Sequence, residues 1–175
     1  MRIVKSGLDG VLLVEQERSG DDRGFIARTY DVDLMPPIMQ MSTSFTARAG
    51  TLRGLHYQIR QPQGKLVRVV AGEVFDVVVD LRASSPTFAR SVSVRLSADD
   101  NRMLWVPPGF AHGFLVLSEF ADFLYKTTDY WSPEHERTLL WSDPRLAIDW
   151  PIDGAPTLAA KDAAGTPLAN AEVYR

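Results

Sequence analysis

The sequence contains no cysteine, which excludes disulfide bonds, thiolate catalysis and cysteine-ligated metal sites. It has no run of about 18 apolar residues, so no transmembrane helix is expected. A formal net charge of −3 provides no basic field for nucleic acid or for an anionic membrane surface. The apolar stretch within residues 1–17 is short and interrupted by charges, unlike a secretory signal. We therefore expect a cytoplasmic protein that binds neither nucleic acid nor membrane.

Short motifs of several large enzyme classes are also missing. There is no GxGxxG, no P-loop and no GxSxG, so dinucleotide-binding, NTPase and serine-hydrolase interpretations have no support. The three histidines, His56, His112 and His135, form no His-x-His pair. A metal-binding β protein usually places two histidines close together with a carboxylate. We therefore expect no metal site.

What the sequence does contain is a series of short strand-like segments between turn signals. The 175 residues suit one domain, spanning 1–175, with a sizeable core. Residues 65–82 predict two valine-rich strands joined as a hairpin at Ala71 and Gly72. Further strands are predicted at 91–97, on both sides of a Pro-Pro-Gly corner at 107–109, and within 121–131, where Ala121, Phe123, Tyr125 and Thr127 share one face. Helical periodicity is weak, with short candidates only at 31–37 and near the C-terminus. This pattern favours a sandwich or barrel of antiparallel strands, most simply a jelly roll.

A histidine and a lysine stand at the two ends of one polar loop. His56 lies in the apolar run 52–58, and Lys65 opens the next apolar run. Alone, His56 could equally be a structural histidine, and Lys65 could be a solvated lysine at the start of a strand. These two residues leave both interpretations open.

Five other residues each have a functional and a purely structural interpretation. Asp162 could be the N-cap of a final turn, and Tyr125 could be a core tyrosine with a bonded hydroxyl. Trp131 could be a rim aromatic or a stacking platform. Arg23 and Arg53 suit phosphate or carboxylate binding, although surface salt bridges are commoner.

Several long segments, taken in order, resemble the dTDP-4-dehydrorhamnose 3,5-epimerase family. The matching segments cover most of the chain: DDRGF, LRGLHYQ, QGKLVRVVAGEVFDVVVDLR, SSPTF, LSADDNRMLWVPPGFAHGFLVLSE, DFLYKTTDYWSPEHER, WSDPRLAIDWP and KDAAGTPL. The resemblance implies a mainly β, cupin-like jelly roll of antiparallel strands with short helices at the periphery. It also implies a homodimer that needs no metal or organic cofactor.

The resemblance further implies the reaction and the residues that perform it. The substrate would be a dTDP-4-keto-6-deoxyhexose, inverted at C3 and C5. The alternative is an epimerase that inverts C3 alone or C5 alone in another nucleotide-linked 4-keto-deoxysugar. His56 matches the general base, Asp162 its orienting partner, Tyr125 the general acid and Lys65 the cation beside the C4 oxygen. Residues at substrate-binding positions are Arg23, Arg28, Gln40, Ser42, Arg53, His112, Trp131, Glu136 and Lys161.

These residue types suit the chemistry. The C4 carbonyl acidifies the hydrogens on C3 and C5, and a histidine supported by a carboxylate can remove them near neutral pH. A lysine ammonium in a water-poor pocket can stabilise the enolate oxygen. Inversion also requires a proton from the opposite face, which a tyrosine can donate.

Three positions depart from the usual family pattern. Arg28 stands where glutamate is usual, and Ser42 replaces the asparagine of a Gln-x-Asn pair whose glutamine, Gln40, is kept. Trp131 stands where the family usually stacks a tyrosine on the thymine. Exchanging a carboxylate for a guanidinium inverts a local charge, so these positions bear on which nucleotide sugar is bound.

One geometric prediction follows from alternation in the segment 52–58. A regular strand would place Arg53 and His56 on opposite faces. Both can line one cavity only if Gly54 marks a bulge or the strand begins later. We predict such an irregularity.

Overall fold

The protein is built mainly from short antiparallel strands. The structure, a computed structural model, describes residues 1–175 except for the side chain of Lys5. Its strands are β1 (Arg2–Lys5), β2 (Leu12–Glu15), β3 (Arg18–Asp21), β4 (Gly24–Ala27), β5 (Gln40–Thr46), β6 (Leu52–Gln58), β7 (Lys65–Ala71), β8 (Glu73–Asp80), β9 (Ser91–Ser97), β10 (Arg102–Val106), β11 (Phe110–Val116), β12 (Ala121–Thr127) and β13 (Glu136–Thr138). A short helix, α1 (Ala160–Ala163), and a 3-10 turn at Leu168–Asn170 follow.

The strands form two packed sheets and a separate hairpin. The six-stranded sheet has the order β1-β2-β10-β7-β12-β5, and the five-stranded sheet has the order β13-β6-β11-β8-β9. Strands β3 and β4 pair only with each other. These antiparallel sheets with short helices near the C-terminal end confirm the predicted fold class. Among the described residues, no helix is long and apolar enough to cross a membrane.

The main core lies between the two sheets. Alternating side chains on facing strands supply it, including Val67 and Val69 on β7 and Val74 and Val78 on β8. The rings of Phe114 and Phe123 stack across the sandwich with their centroids 4.2 Å apart. Such a pair contributes about 0.5–1.5 kcal/mol beyond its buried area.

A second core lies on the outer face of the five-stranded sheet. Leu55, Val77 and Val79 pack there against Leu146 and Leu168 from the C-terminal segment. Strands of this sheet are therefore buried on both faces. That is why β11 is buried throughout and why β8 reads as a nearly continuous apolar run.

The predicted hairpin at residues 65–82 is wrong, although both of its strands exist. Strand β7 pairs with β10 and β12, whereas β8 pairs with β11 and β9 in the other sheet. The chain crosses between the sheets at Gly72, whose φ is +78°. A side chain there would come within 2.1 Å of the Phe120 carbonyl oxygen. Gly72 therefore does form a turn, but the turn leads from one sheet to the other and does not close a hairpin.

The other strand predictions are confirmed. Strand β9 spans Ser91–Ser97, and β10 and β11 flank the Pro-Pro-Gly corner. Strand β12 spans Ala121–Thr127, the first part of the predicted segment 121–131. Residues 31–37 contain turns but no helix, so that helical candidate is wrong.

Candidate active site

A cavity of about 400 Å³ opens between the two sheets, beside the stacked phenylalanines. Its walls come from β6 and β11 on one side and from β5, β7 and β12 on the other. The predicted site residues that line it are Gln40, Ser42, Arg53, His56, Lys65, His112, Tyr125, Trp131, Glu136, Lys161 and Asp162.

The predicted irregularity in β6 is confirmed. His56 pairs with His112 and Arg53 pairs with Phe114, so two residues of β6 lie opposite the single residue Gly113 of β11. Gly54 has a φ of +128°, a conformation that L side chains rarely adopt. The bulge brings Arg53 and His56 to the same cavity, which a regular strand would not.

His56 and Asp162 form a close pair at the cavity wall. The His56 Nε2–H donates to Asp162 Oδ1 at 2.6 Å across 106 residues of sequence. Asp162 is 2% exposed and His56 is 21% exposed, so the carboxylate is dry while the imidazole reaches the cavity. Asp162 lies inside α1, whose N-cap is Ala159, so the N-cap interpretation is wrong. With Nε2 bound to the carboxylate, Nδ1 is the nitrogen left to accept a proton.

Lys65 brings a positive charge into the cavity from the first residue of β7. Its Nζ donates to the His56 carbonyl oxygen at 3.5 Å. Burial lowers the pKa of Lys65 to about 8, while the charges of Glu136 and Asp76 oppose that change. The ammonium form therefore persists at neutral pH, but with a smaller margin than a surface lysine has.

Tyr125 faces the cavity from the opposite sheet. It lies on the inner face of β12, where it pairs across the strands with Ser42 of β5 and Val67 of β7. Tyr125 and His56 thus reach one cavity from facing sheets.

The rim carries polar groups and one exposed aromatic side chain. The backbone N–H of Trp131 donates to Gln40 Oε1 at 3.2 Å. Trp131 itself is 57% exposed. Lys161 Nζ donates to the two carboxylate oxygens of Glu136 at 3.2 and 3.3 Å.

Two of the predicted substrate-binding residues, Arg23 and Arg28, do not line the cavity of their own chain. Arg23 lies in the β3–β4 hairpin, where it is ion-paired with Asp21 and 85% exposed. Arg28 follows that hairpin and is ion-paired with Asp31. The hairpin pairs with neither sheet, which is the physical reason for their separation from the site.

Sequence reasoning missed Asp76, which lies directly behind the cavity. Its carboxylate contacts His112 Nε2 at 2.8 and 3.0 Å, and the residue is 0% exposed. The available signal was a single aspartate inside the apolar run of β8. A buried charge of that kind requires a partner.

Within the side chains that the structure describes, no three histidine, aspartate or glutamate groups are arranged to hold a metal ion.

The fold and site define a double-sheet β protein whose cavity between the sheets is lined by a histidine–aspartate pair, a lysine and a tyrosine. The family model described as dTDP-4-dehydrorhamnose 3,5-epimerase matches residues 5–170. A protein of that name from Pseudomonas aeruginosa is 51% identical over 99% of this chain and 99% of that protein. One from Salmonella typhimurium is 45% identical over 98% of this chain and 97% of its own length. The chain belongs to the dTDP-4-dehydrorhamnose 3,5-epimerase family.

Solved structures agree with this assignment. The 3,5-epimerase RmlC from Legionella pneumophila, in complex with dTDP-4-keto-L-rhamnose, has a TM-score of 0.95 and 44% identity, covering 99% of this chain and 97% of that one. ChmJ, a 3'-monoepimerase from Streptomyces bikiniensis in complex with dTDP-quinovose, has a TM-score of 0.87 and 30% identity, covering 93% and 86%. The likeness confirms the expected cupin-like jelly roll.

Proposed function

We propose that this chain is an isomerase that inverts C3 and C5 of dTDP-4-dehydro-6-deoxy-D-glucose, giving dTDP-4-dehydro-L-rhamnose. One observation carries the proposal: His56 and Tyr125 reach one cavity from facing sheets, with the Lys65 ammonium in the same cavity. An inversion next to a ketone needs this arrangement of base, acid and cation. The family relationship supports the two-centre reaction over the alternative at C3 or C5 alone.

In the proposed reaction, His56 Nδ1 removes the hydrogen on C3 or C5 as a proton. The bonding electrons move onto the C4 oxygen, giving an enolate whose charge Lys65 stabilises. Asp162 stabilises the imidazolium that forms on His56. Tyr125 donates a proton to the opposite face of the carbon, which restores the ketone with inverted configuration. Each acid–base step of this kind contributes about 10²–10⁴-fold.

The residues around His56, Lys65 and Tyr125 would hold the nucleotide and the diphosphate. Trp131 offers an exposed aromatic face at the rim for the base. Arg53, through its rigid guanidinium group, suits a phosphate. The remaining proposed contacts are Gln40, Ser42, His112, Glu136 and Lys161.

We further propose that the protein acts as a homodimer, with residues 1–175 as one domain. Strand β1 is an edge strand, and Met41, Phe45 and Ile26 are 63%, 60% and 82% exposed. Such apolar exposure favours an interface. Arg23 can bind substrate only if its hairpin reaches the cavity of a partner. A monomeric sedimentation profile at micromolar concentration would contradict the dimer, and the cytoplasmic location stays a prediction.

The test is hydrogen exchange from deuterated water into dTDP-4-dehydro-6-deoxy-D-glucose, followed by NMR. Deuterium at both C3 and C5 is the expected result, and a coupled 4-reductase would identify the product. Deuterium at one carbon only would support the single-site alternative. No exchange would contradict the proposed reaction. The Lys65→Met variant, which keeps a long side chain without the charge, should lose exchange at both carbons.

A further inference from the structure

Asp76 is a buried carboxylate that the reaction scheme does not use. It lies on the inner face of β8, is 0% exposed and does not itself line the cavity. Its partner is His112, which does line the cavity and donates from Nε2 to both carboxylate oxygens. An ionised group in such a place is costly unless charged or polar partners satisfy it.

The surroundings of Asp76 point toward the catalytic groups. His112 is the direct cross-strand neighbour of His56, so two imidazoles stand side by side, each bonded to its own carboxylate. Burial raises the pKa of Asp76, whereas the charge of His112, the hydrogen bond from His112 and the charge of Lys65 oppose that change.

Charged groups on several elements face Lys65. Glu136 on β13 and Asp76 on β8 favour its charged form, whereas Lys161 on α1 and burial oppose it. Glu136 is already ion-paired with Lys161 at the rim. Glu136 and Asp76 therefore both favour the Lys65 ammonium, and Asp76 is the one of the two that lies buried behind the cavity.

We propose that Asp76 is a positioning residue for the epimerisation: it orients the His112 imidazole and places a carboxylate directly behind the cavity that His112 and Lys65 line. This inference rests on the proposed function. It differs from a packing role because it predicts that a change confined to Asp76 alters the titration of Lys65.

A comparison of Asp76→Asn with Asp80→Asn tests this. Asp80 is also 0% exposed and on β8, but its partners are Arg82, Ser85 and Thr87, away from the cavity. Removing the charge of Asp76 should lower the pH at which activity falls on the alkaline side by about one unit. The value of kcat at neutral pH should also fall, by about 10²-fold if His112 is displaced by about 1 Å. Asp80→Asn should lower thermal stability and leave the alkaline limit unchanged.

A readout without substrate separates this proposal from the reaction itself. The chain has four lysines, so ¹³C-methylated Lys65 can be assigned by substitution and titrated by NMR. Lys65 should titrate near pH 8 in the wild type and lower in Asp76→Asn, whether or not the wild type turns over the tested sugar. An unchanged Lys65 titration in Asp76→Asn would overturn the proposal. If Asp76→Asn does not fold, Asp76→Glu serves instead, because it keeps the charge. Lys65 should titrate in Asp76→Glu as it does in the wild type, and a clear downward shift of the Lys65 titration would equally overturn the proposal.

Discussion

Gly113 is the position where one added methyl group should disturb the site most directly. A Cβ there would lie 2.5 Å from the Arg53 carbonyl oxygen and 3.0 Å from both Gly54 Cα and Leu55 Cδ2. Two of these three atoms belong to backbone in the bulge, so they cannot move away without disturbing the pairing of β6 with β11. Gly113 is therefore required by close approach rather than by an unusual φ.

Gly113→Ala should cost about 1–3 kcal/mol of stability, the usual range for overpacking a tight interior. In a protein of this size that lowers the Tm by about 2–4 °C for each kcal/mol. Displacing β6 also displaces His56, and a shift of about 1 Å in a catalytic group can cost about 10²-fold in rate. Activity should thus fall even at temperatures where the variant is fully folded.

Thermal unfolding and the deuterium-exchange assay, run on the same samples, check both effects. The control is Gly154→Ala, at a glycine with φ +86° and no atom within 4 Å of an added Cβ. It should cost about 1–2 kcal/mol through backbone conformation and leave the exchange rate of the folded protein unchanged. A Gly113→Ala protein with wild-type Tm and wild-type exchange would refute the assigned packing of β6 on β11.

Four further outcomes are expected. Asp162→Asn should slow exchange by about 10²–10⁴-fold with little change in Tm, since the negative charge that supports the His56 imidazolium is lost while the volume and an acceptor oxygen are kept; exchange close to wild type would argue against the pair. Tyr125→Phe should retain deuterium uptake while forming little inverted product, and full inversion in the coupled assay would exclude Tyr125 as the acid. Trp131→Ala should raise KM about 5- to 150-fold at similar kcat, because base stacking is worth about 1–3 kcal/mol; an unchanged KM would place the base elsewhere. Burial alone would raise the pKa of Asp80, but hydrogen bonds led by those of Arg82 hold it below its usual range. The stabilisation is therefore present above about pH 4 and lost as the pH falls further, so the Tm gap between wild type and Asp80→Asn should shrink in acid.

The local sequence pattern was sufficient to predict most of the strands. Alternation in Ser91–Ser97 and Ala121–Thr127 predicts which side chains point inward, because the two-residue period of a strand is a local property. The same period showed that Arg53 and His56 conflict, and that conflict located the bulge at Gly54. Most of the residues predicted for the site do line one cavity.

Partnerships between distant segments could not be predicted in this way. The turn at Gly72 reads as a hairpin because strand pairing within a jelly roll is decided by the whole sandwich, and two adjacent strands can belong to different sheets. Asp162, taken alone, reads as a helix cap, since nothing near it in sequence indicates a histidine 106 residues away. Asp76 drew no prediction because its partner is on a different strand.

The sequence by itself determined the chemical groups, the strands that carry them and, through family resemblance, the class of reaction. Tertiary structure decided which groups meet: His56 with Asp162, His112 with Asp76, and Tyr125 across the cavity from His56. It also left Arg23 and Arg28 outside the cavity of their own chain. The physical reason is the distance along the chain over which each effect acts. Side-chain chemistry and strand periodicity act over a few residues, whereas the cavity arises only when two sheets built from distant segments pack face to face.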